Sequence, residues 1–137
     1  MVARRPRSGA YAWAPPAGRG FHLLAIGVQL EAVRAPADLG AWMRTNGTEK
    51  AAHIATAQHA VWLLPAEEAA VYRTAWRVPG VRHVASGLLA VPQAGRPEVG
   101  AGVRWVVPRG WKGRHVASPS QLATDLAAAA RAAWGGG

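Results

Sequence analysis

The residues best suited to chemistry lie in one acid-free stretch of the chain. Between Glu98 and Asp125 no carboxylate occurs, while Arg104, Arg109, Lys112, Arg114 and His115 accumulate around Trp105 and Trp111. Within it, Pro108-Arg109-Gly110-Trp111-Lys112-Gly113-Arg114-His115 reads as a cationic, aromatic loop. Cations supply affinity for phosphate, and an exposed indole offers a face on which a base can stack. Arg82, if its strand neighbours that of Arg104, extends the same positive face. The competing reading is a solvated loop whose Trp111 folds back onto the core, since indoles are highly buried on average.

Other chemistries lack their residues. Two-metal phosphoryl transfer needs clustered carboxylates, yet the chain has seven acids and no D-x-D or D-x-E pair. Glu67 and Glu68 are neighbours on a predicted helix, so their side chains diverge by roughly 100°. His22, His53, His59, His83 and His115 show no zinc-ligand spacing, and there is no cysteine. The G-x-S-x-G elbow and the glycine-rich phosphate cradles are missing, so neither a serine nucleophile nor a cofactor is expected. Ser86 and Gly87 suit a turn, with lining a ligand as the alternative. A small-molecule enzyme would have to build an unrecognised site around Ser86 and His83, and the reading adopted is that the chain is not an enzyme.

A chain of 137 residues makes one ordinary domain, here with half its residues hydrophobic. Seven tryptophans carry much of the large core volume. The net charge of +9, with Arg far above Lys, favours polyanions such as nucleic acid or nucleotides. GC-rich codons give the same bias, and both accounts stay open at this point. The apolar run from Phe21 to Leu30 is too short to cross a bilayer, and Pro15-Pro16 interrupts any export signal. A cytoplasmic protein without a membrane partner is predicted.

Periodicity along the chain gives the strands and helices around these residues. Residues 1–20 read as a basic, flexible arm, residues 21–134 as the domain and 135–137 as a glycine tail. A strand region over Leu23–Ala35 leads through Pro36 to a short helix, with Leu39, Trp42 and Met43 on one side. His53–Thr56 and Ala60–Leu64 form a hairpin, although Gln58-His59 is a poor turn signature. A helix over Ala66–Trp76 ends at Pro79-Gly80. Val81–Ala85 and Leu88–Val91 suit a second hairpin through Ser86-Gly87, and Val103–Val107 is a further strand. The last helix opens with Ser118 as N-cap, Pro119 in its first position and Gln121 completing a capping box. Leu122, Leu126, Ala129 and Ala133 form its buried stripe. This order predicts an α+β fold, a single mixed or mostly antiparallel sheet with about three helices packed on it.

Several of these pieces, in this order, resemble a short, divergent form of the actinobacterial bifunctional DNA primase/polymerase N-terminal domain. They are Leu30-Glu31-Ala32-Val33-Arg34-Ala35-Pro36 running into Leu39-Gly40, and Val61-Trp62-Leu63-Leu64-Pro65 before a helix. Gly80-Val81-Arg82 then leads to Ser86-Gly87 and Ala90-Val91-Pro92, and Gly102-Val103-Arg104-Trp105-Val106-Val107-Pro108 precedes the final helix. Members able to polymerise carry an acidic metal-ligand pair on a central strand, where Glu31 here stands alone. Val84-Ala85-Ser86-Gly87 also departs from their Gly-x-Gly-Ser, and Pro92-Gln93 from their double proline. The resemblance implies a primase-like scaffold without catalysis that binds nucleic acid or nucleotide phosphates, as an accessory to replication or to a mobile element. The alternative is a protein-interaction module in which exposed tryptophans and arginines anchor a partner chain.

Overall fold

The computed structural model describes residues 9–76, 78–96 and 102–134. Residues 1–8 of the expected arm and the glycine tail 135–137 lie outside them. Seven strands form one sheet: β1 (Phe21–Ile26), β2 (Leu30–Pro36), β3 (His53–Ala55), β4 (His59–Pro65), β5 (Arg82–Val84), β6 (Gly87–Pro92) and β7 (Arg104–Val106). They run in the order β6-β1-β2-β4-β3-β7, with β5 also paired to β2. All ladders are antiparallel except the single Ile26–Leu30 pair between β1 and β2. The helices are α1 (Ala37–Asn46), α2 (Ala66–Ala69) and α3 (Pro119–Trp134). The fold is therefore α+β, a mixed and mostly antiparallel sheet with three helices. No helix among the described residues is long and apolar enough to cross a membrane.

Strand alternation divides the core into two layers. Val33 and Ala35 of β2 and Trp62 and Leu64 of β4 meet Leu39 and Met43 of α1 and Leu122, Leu126 and Ala129 of α3. Leu30, Ala32, Val61 and Leu63 point the other way, to Ile54, Trp105 and Val116. Because β4 is covered on both faces, it reads as the unbroken apolar run Ala60–Leu64. Asp125 adds a buried carboxylate to the α3 stripe, whereas Ala133 is exposed.

Residues 9–20 do not form the expected arm. Gly9–Ala12 make a 3-10 turn with Ala10 buried, and Trp13 meets Trp105 at 6.4 Å between ring centroids. Tyr11 donates its hydroxyl to Glu68 at 3.1 Å, and the backbone of Pro16, Gly18 and Gly20 accepts from Ala94, Gly95 and Gln93. The prolines stop this segment from joining a ladder, but its two aromatic side chains still cover the second core layer.

The expected β5–β6 hairpin is also absent. Both strands run along one continuous partner, β5 against β2 (Ala32 opposite Val84) and β6 against β1 (Ile26 opposite Gly87). Ser86 and Gly87 mark a bend between them, set against the kink at Gly27–Gln29. Gly27 has φ +101°, and a Cβ there would stand 2.5 Å from the Ala85 carbonyl oxygen. The first hairpin does form, and Thr56 supplies its missing turn signal. Its Oγ1 accepts from the backbone N–H of Gln58 and His59, and its own N–H donates to the His59 carbonyl. The helix expected over Ala66–Trp76 is α-helical for four residues and continues as 3-10 through Ala75. Val71, Tyr72 and Thr74 are weak helix formers.

Candidate anion-binding cleft

Alternation along β7 decides which side chains share a site. Trp105 faces the second core layer, so Arg104 and Val106 face the helices, opposite Ala55 and His53 of β3. Above them lies α1, whose Ala37, Gly40, Ala41, Arg44 and Thr45 recur at helical spacing and share one face. Between helix and sheet is a cleft of about 620 Å³, whose polar lining is Arg44, Thr45, His53, Thr56, His59, Arg104 and Arg109. Ala37, Gly40, Ala41, Ala55, Ala60, Val106 and Val107 supply its apolar wall. Gly40 is what lets α1 come so close. A Cβ there would stand 2.6 Å from the Ala60 Cβ and 3.3 Å from His53 Nε2.

No described lining residue is a carboxylate. The described close contacts of carboxylates with basic side chains lie elsewhere, Glu31 with His83 and Glu49 with Arg114, and neither reaches Arg44, Arg104 or Arg109. The Arg109 N–H donates to the Arg44 carbonyl at 3.0 Å, which ties the loop after β7 to the end of α1. Arg104 makes one long contact, 3.4 Å to the Gly102 carbonyl. Three arginines therefore line one concavity with no carboxylate partner among the described residues, and guanidinium is the side chain best shaped to grip phosphate or carboxylate oxygens.

His53 forms part of the floor. It is 4 % exposed and packs on Trp62 with ring centroids 4.8 Å apart. Burial first, then the Arg44 and Arg104 guanidiniums, push its imidazole down to about 4. It is thus uncharged at neutral pH and adds polarity without adding to the positive field. The depressed value also links folding to pH. As pH falls below about 6.5 the unfolded imidazole takes up a proton that the folded one refuses, so stability present at pH 7 declines until about pH 4. The expected loss from this one group is about 3 kcal/mol. Urea unfolding of wild type and His53→Gln at pH 7 and at lower pH checks it. The gap between the two proteins should move in favour of the variant on acidification, and a constant gap would contradict the assignment.

Of the residues expected to bind phosphate, only Arg104 and Arg109 line this cleft. Arg114 is drawn inward: it pairs with Glu49 at 2.5 Å and donates to the Val116 carbonyl at 2.7 Å. Trp111 donates its indole N–H to the Arg114 carbonyl at 2.8 Å, and its ring meets His115 edge-on at 5.3 Å. The loop thus turns its indole onto the second core layer, as the competing sequence reading had it. His115 lies between Trp105 and Trp111, and burial lowers its pKa against an opposing Gly113 backbone contact. Lys112 is exposed and outside the cleft lining. Arg82 does not extend the site, because β5 pairs with β2 while β7 pairs with β3, so β2, β4 and β3 lie between Arg82 and Arg104. Ser86 and Gly87 sit at an exposed bend away from the lining residues.

Arg44, Thr45, His53, Thr56 and His59 were missed by the sequence reading. The pairing of β3 with β7 brings His53 and Thr56 to Arg104, the packing of α1 adds Arg44 and Thr45, and nothing local in the sequence encodes either. The one usable signal was Gly40 within a helical pattern, a mark of close packing.

Outside the cleft lining, two buried carboxylates staple distant segments together. Glu49 accepts from the Ala51 N–H, the Ser118 N–H and Arg114, while Asp125 accepts from the Glu49 N–H and the Thr48 hydroxyl. The expected capping box does not form as drawn. Glu49 takes the Ser118 N–H that Gln121 was to satisfy, and Gln121 instead donates to Thr48 Oγ1.

Among the described residues no three His, Asp or Glu side chains come together as a metal-binding group. No known protein family, curated protein or solved structure matches this chain.

Proposed function

We propose that this is a non-catalytic, cytoplasmic domain on a primase/polymerase-like scaffold that binds the phosphate groups of a nucleotide or nucleic acid in the cleft under α1. The observation that carries this reading is the convergence of Arg44, Arg104 and Arg109, unpaired with any described carboxylate, on one concavity. A net charge of +9 draws such ligands toward the surface, and the cleft gives them a place to dock. The contacts are the three guanidiniums to phosphate oxygens, with the Thr45 and Thr56 hydroxyls as neutral partners. Trp111 no longer serves as a stacking platform in this reading, and Arg114 serves the fold.

The test is fluorescence-anisotropy titration of a labelled nucleotide and a labelled oligonucleotide at two salt concentrations. Binding should weaken with salt, and Arg104→Ala should cost about 1.5–3 kcal/mol, the usual worth of hydrogen bonds to charged groups. Arg82→Ala, on the far side of the sheet order, should leave affinity nearly unchanged. No binding of either probe at low salt would remove the reading.

One observation favours a second reading, a protein-contact surface. Phe21, Leu23, Val28 and Leu88 are exposed on the β1–β6 arm, Leu23 at 64 % and Leu88 at 72 %. Tryptophan anchors are not what this surface offers: Trp134 is the one strongly exposed indole among the described residues, and its N–H donates to Asp38. A partner held by this arm would bind with little salt dependence, which separates the two readings.

A further inference from the structure

The cleft's charge and shape define its ligand more narrowly than phosphate in general. We infer that it takes a phosphate monoester carried by a mononucleotide-sized molecule, rather than the diester backbone of a polymer. This rests on the phosphate-binding reading above and refines it.

Charge is the first reason. A diester phosphate has one negative charge and two free oxygens. A monoester has three free oxygens and carries about −1.5 to −2 at neutral pH. Three arginines lining one concavity, with no carboxylate in the described lining, are matched by the denser anion. A groove that follows a polymer instead spreads its cations along the backbone it tracks.

The second reason is the absence of a stacking track. Single strands are held by successive bases lying on aromatic rings. Here Trp105 faces the opposite core layer, Trp62 lies beneath His53, and Trp111 is turned onto His115. The only aromatic rings in the described lining are the His53 and His59 imidazoles. What remains beside the arginines is a small wall of Ala, Gly and Val, wide enough for one compact organic group. The volume of about 620 Å³ falls within the usual range of small-molecule sites, about 300–1,000 Å³.

His53 supplies an independent readout. Its imidazole is held uncharged by burial and by two arginines. A dianion between Arg44 and Arg104 cancels part of their field, so His53 becomes easier to protonate when the site is filled.

Isothermal titration of the full chain with inorganic phosphate, adenosine monophosphate, unphosphorylated adenosine and the dinucleotide adenylyl-adenosine tests the inference. Adenosine monophosphate should bind about tenfold or more tighter than the dinucleotide, whose only phosphate is a diester, and adenosine should not bind. Arg44→Ala and Arg109→Ala should each remove most of that difference while thermal unfolding confirms that the variants fold. Nuclear magnetic resonance titration of His53 should show its pKa rising when adenosine monophosphate is added. An oligonucleotide with a terminal phosphate, run beside one without, distinguishes a strand end from a free nucleotide as the source of the monoester. Equal or tighter binding of the dinucleotide would overturn the inference and leave phosphate binding intact, as would an oligonucleotide bound where inorganic phosphate and adenosine monophosphate are not. Failure of every phosphate compound at low salt would overturn both.

Discussion

Glu49→Ala should destabilise the domain by about 3–5 kcal/mol, the range seen when one partner of a buried ion pair is removed. The carboxylate is 1 % exposed and accepts from Arg114 and from the backbone N–H groups of Ala51 and Ser118. Alanine strands all three donors at once. Arg114, about a quarter exposed, recovers some hydration, but the Ala51 amide is enclosed. Typical domains hold about 5–15 kcal/mol in total, so the variant sits near the edge of folding. Glu49→Gln keeps the size and one acceptor oxygen while losing the charge, and should fall between alanine and wild type. Urea denaturation at fixed pH measures both. A loss below about 1 kcal/mol for alanine would mean that the staple adds no more than an ordinary hydrogen bond.

Trp62→Ala is the second large effect, again about 3–5 kcal/mol, the usual cost of deleting a buried indole. Trp62 is 1 % exposed at the centre of β4 and fills the layer between the sheet and α1 and α3. Its loss reaches the cleft as well, because the ring supports His53 from below. Water entering the vacated space relieves the desolvation that holds the His53 pKa near 4, so that value should rise toward 6.5. Denaturation and histidine titration read the two consequences separately. A destabilised variant with an unmoved His53 would show that the arginines, rather than burial, set the imidazole's charge.

The parts of the fold legible in the sequence were those with local signals. Pro36 before Leu39 and Met43, and Pro119 before Leu122 and Leu126, marked helix starts that the structure keeps. Continuous apolar character in Ala60–Leu64 and mixed strand and helix patterns led to the α+β class. Whatever depended on partners distant in the chain was not legible. Ser86-Gly87 carries the composition of a hairpin turn, yet β5 and β6 each found a better-matched strand in β2 and β1. Tyr11 and Trp13 sat in a Pro- and Gly-rich segment that looked solvated, and their rings decided otherwise.

The site follows the same division. The acid-free run contains Arg104 and Arg109, which line the cleft, but it gave equal standing to Arg114, which Glu49 claims from 65 residues away. Charge density along a sequence does not distinguish a cation lining an open cleft from one facing a buried carboxylate. The difference lies in the strand register, which sets Arg104 opposite Ala55 and Val106 opposite His53.

The staple also bears on how the chain is made. Glu49 leaves the ribosome 65 residues before Arg114 and 69 before Ser118. At about 5–20 residues per second, roughly 3–13 s pass before its first distant partner is synthesised. For most of that interval the first hairpin lacks β7 on one side, and through all of it α3 on its helical face, leaving Ile54, Trp62 and Leu64 without their covers. The last quarter of the molecule thus completes both the clamp and the core, and a nascent chain halted before Asp125 should present to chaperones an apolar surface that the finished protein never shows.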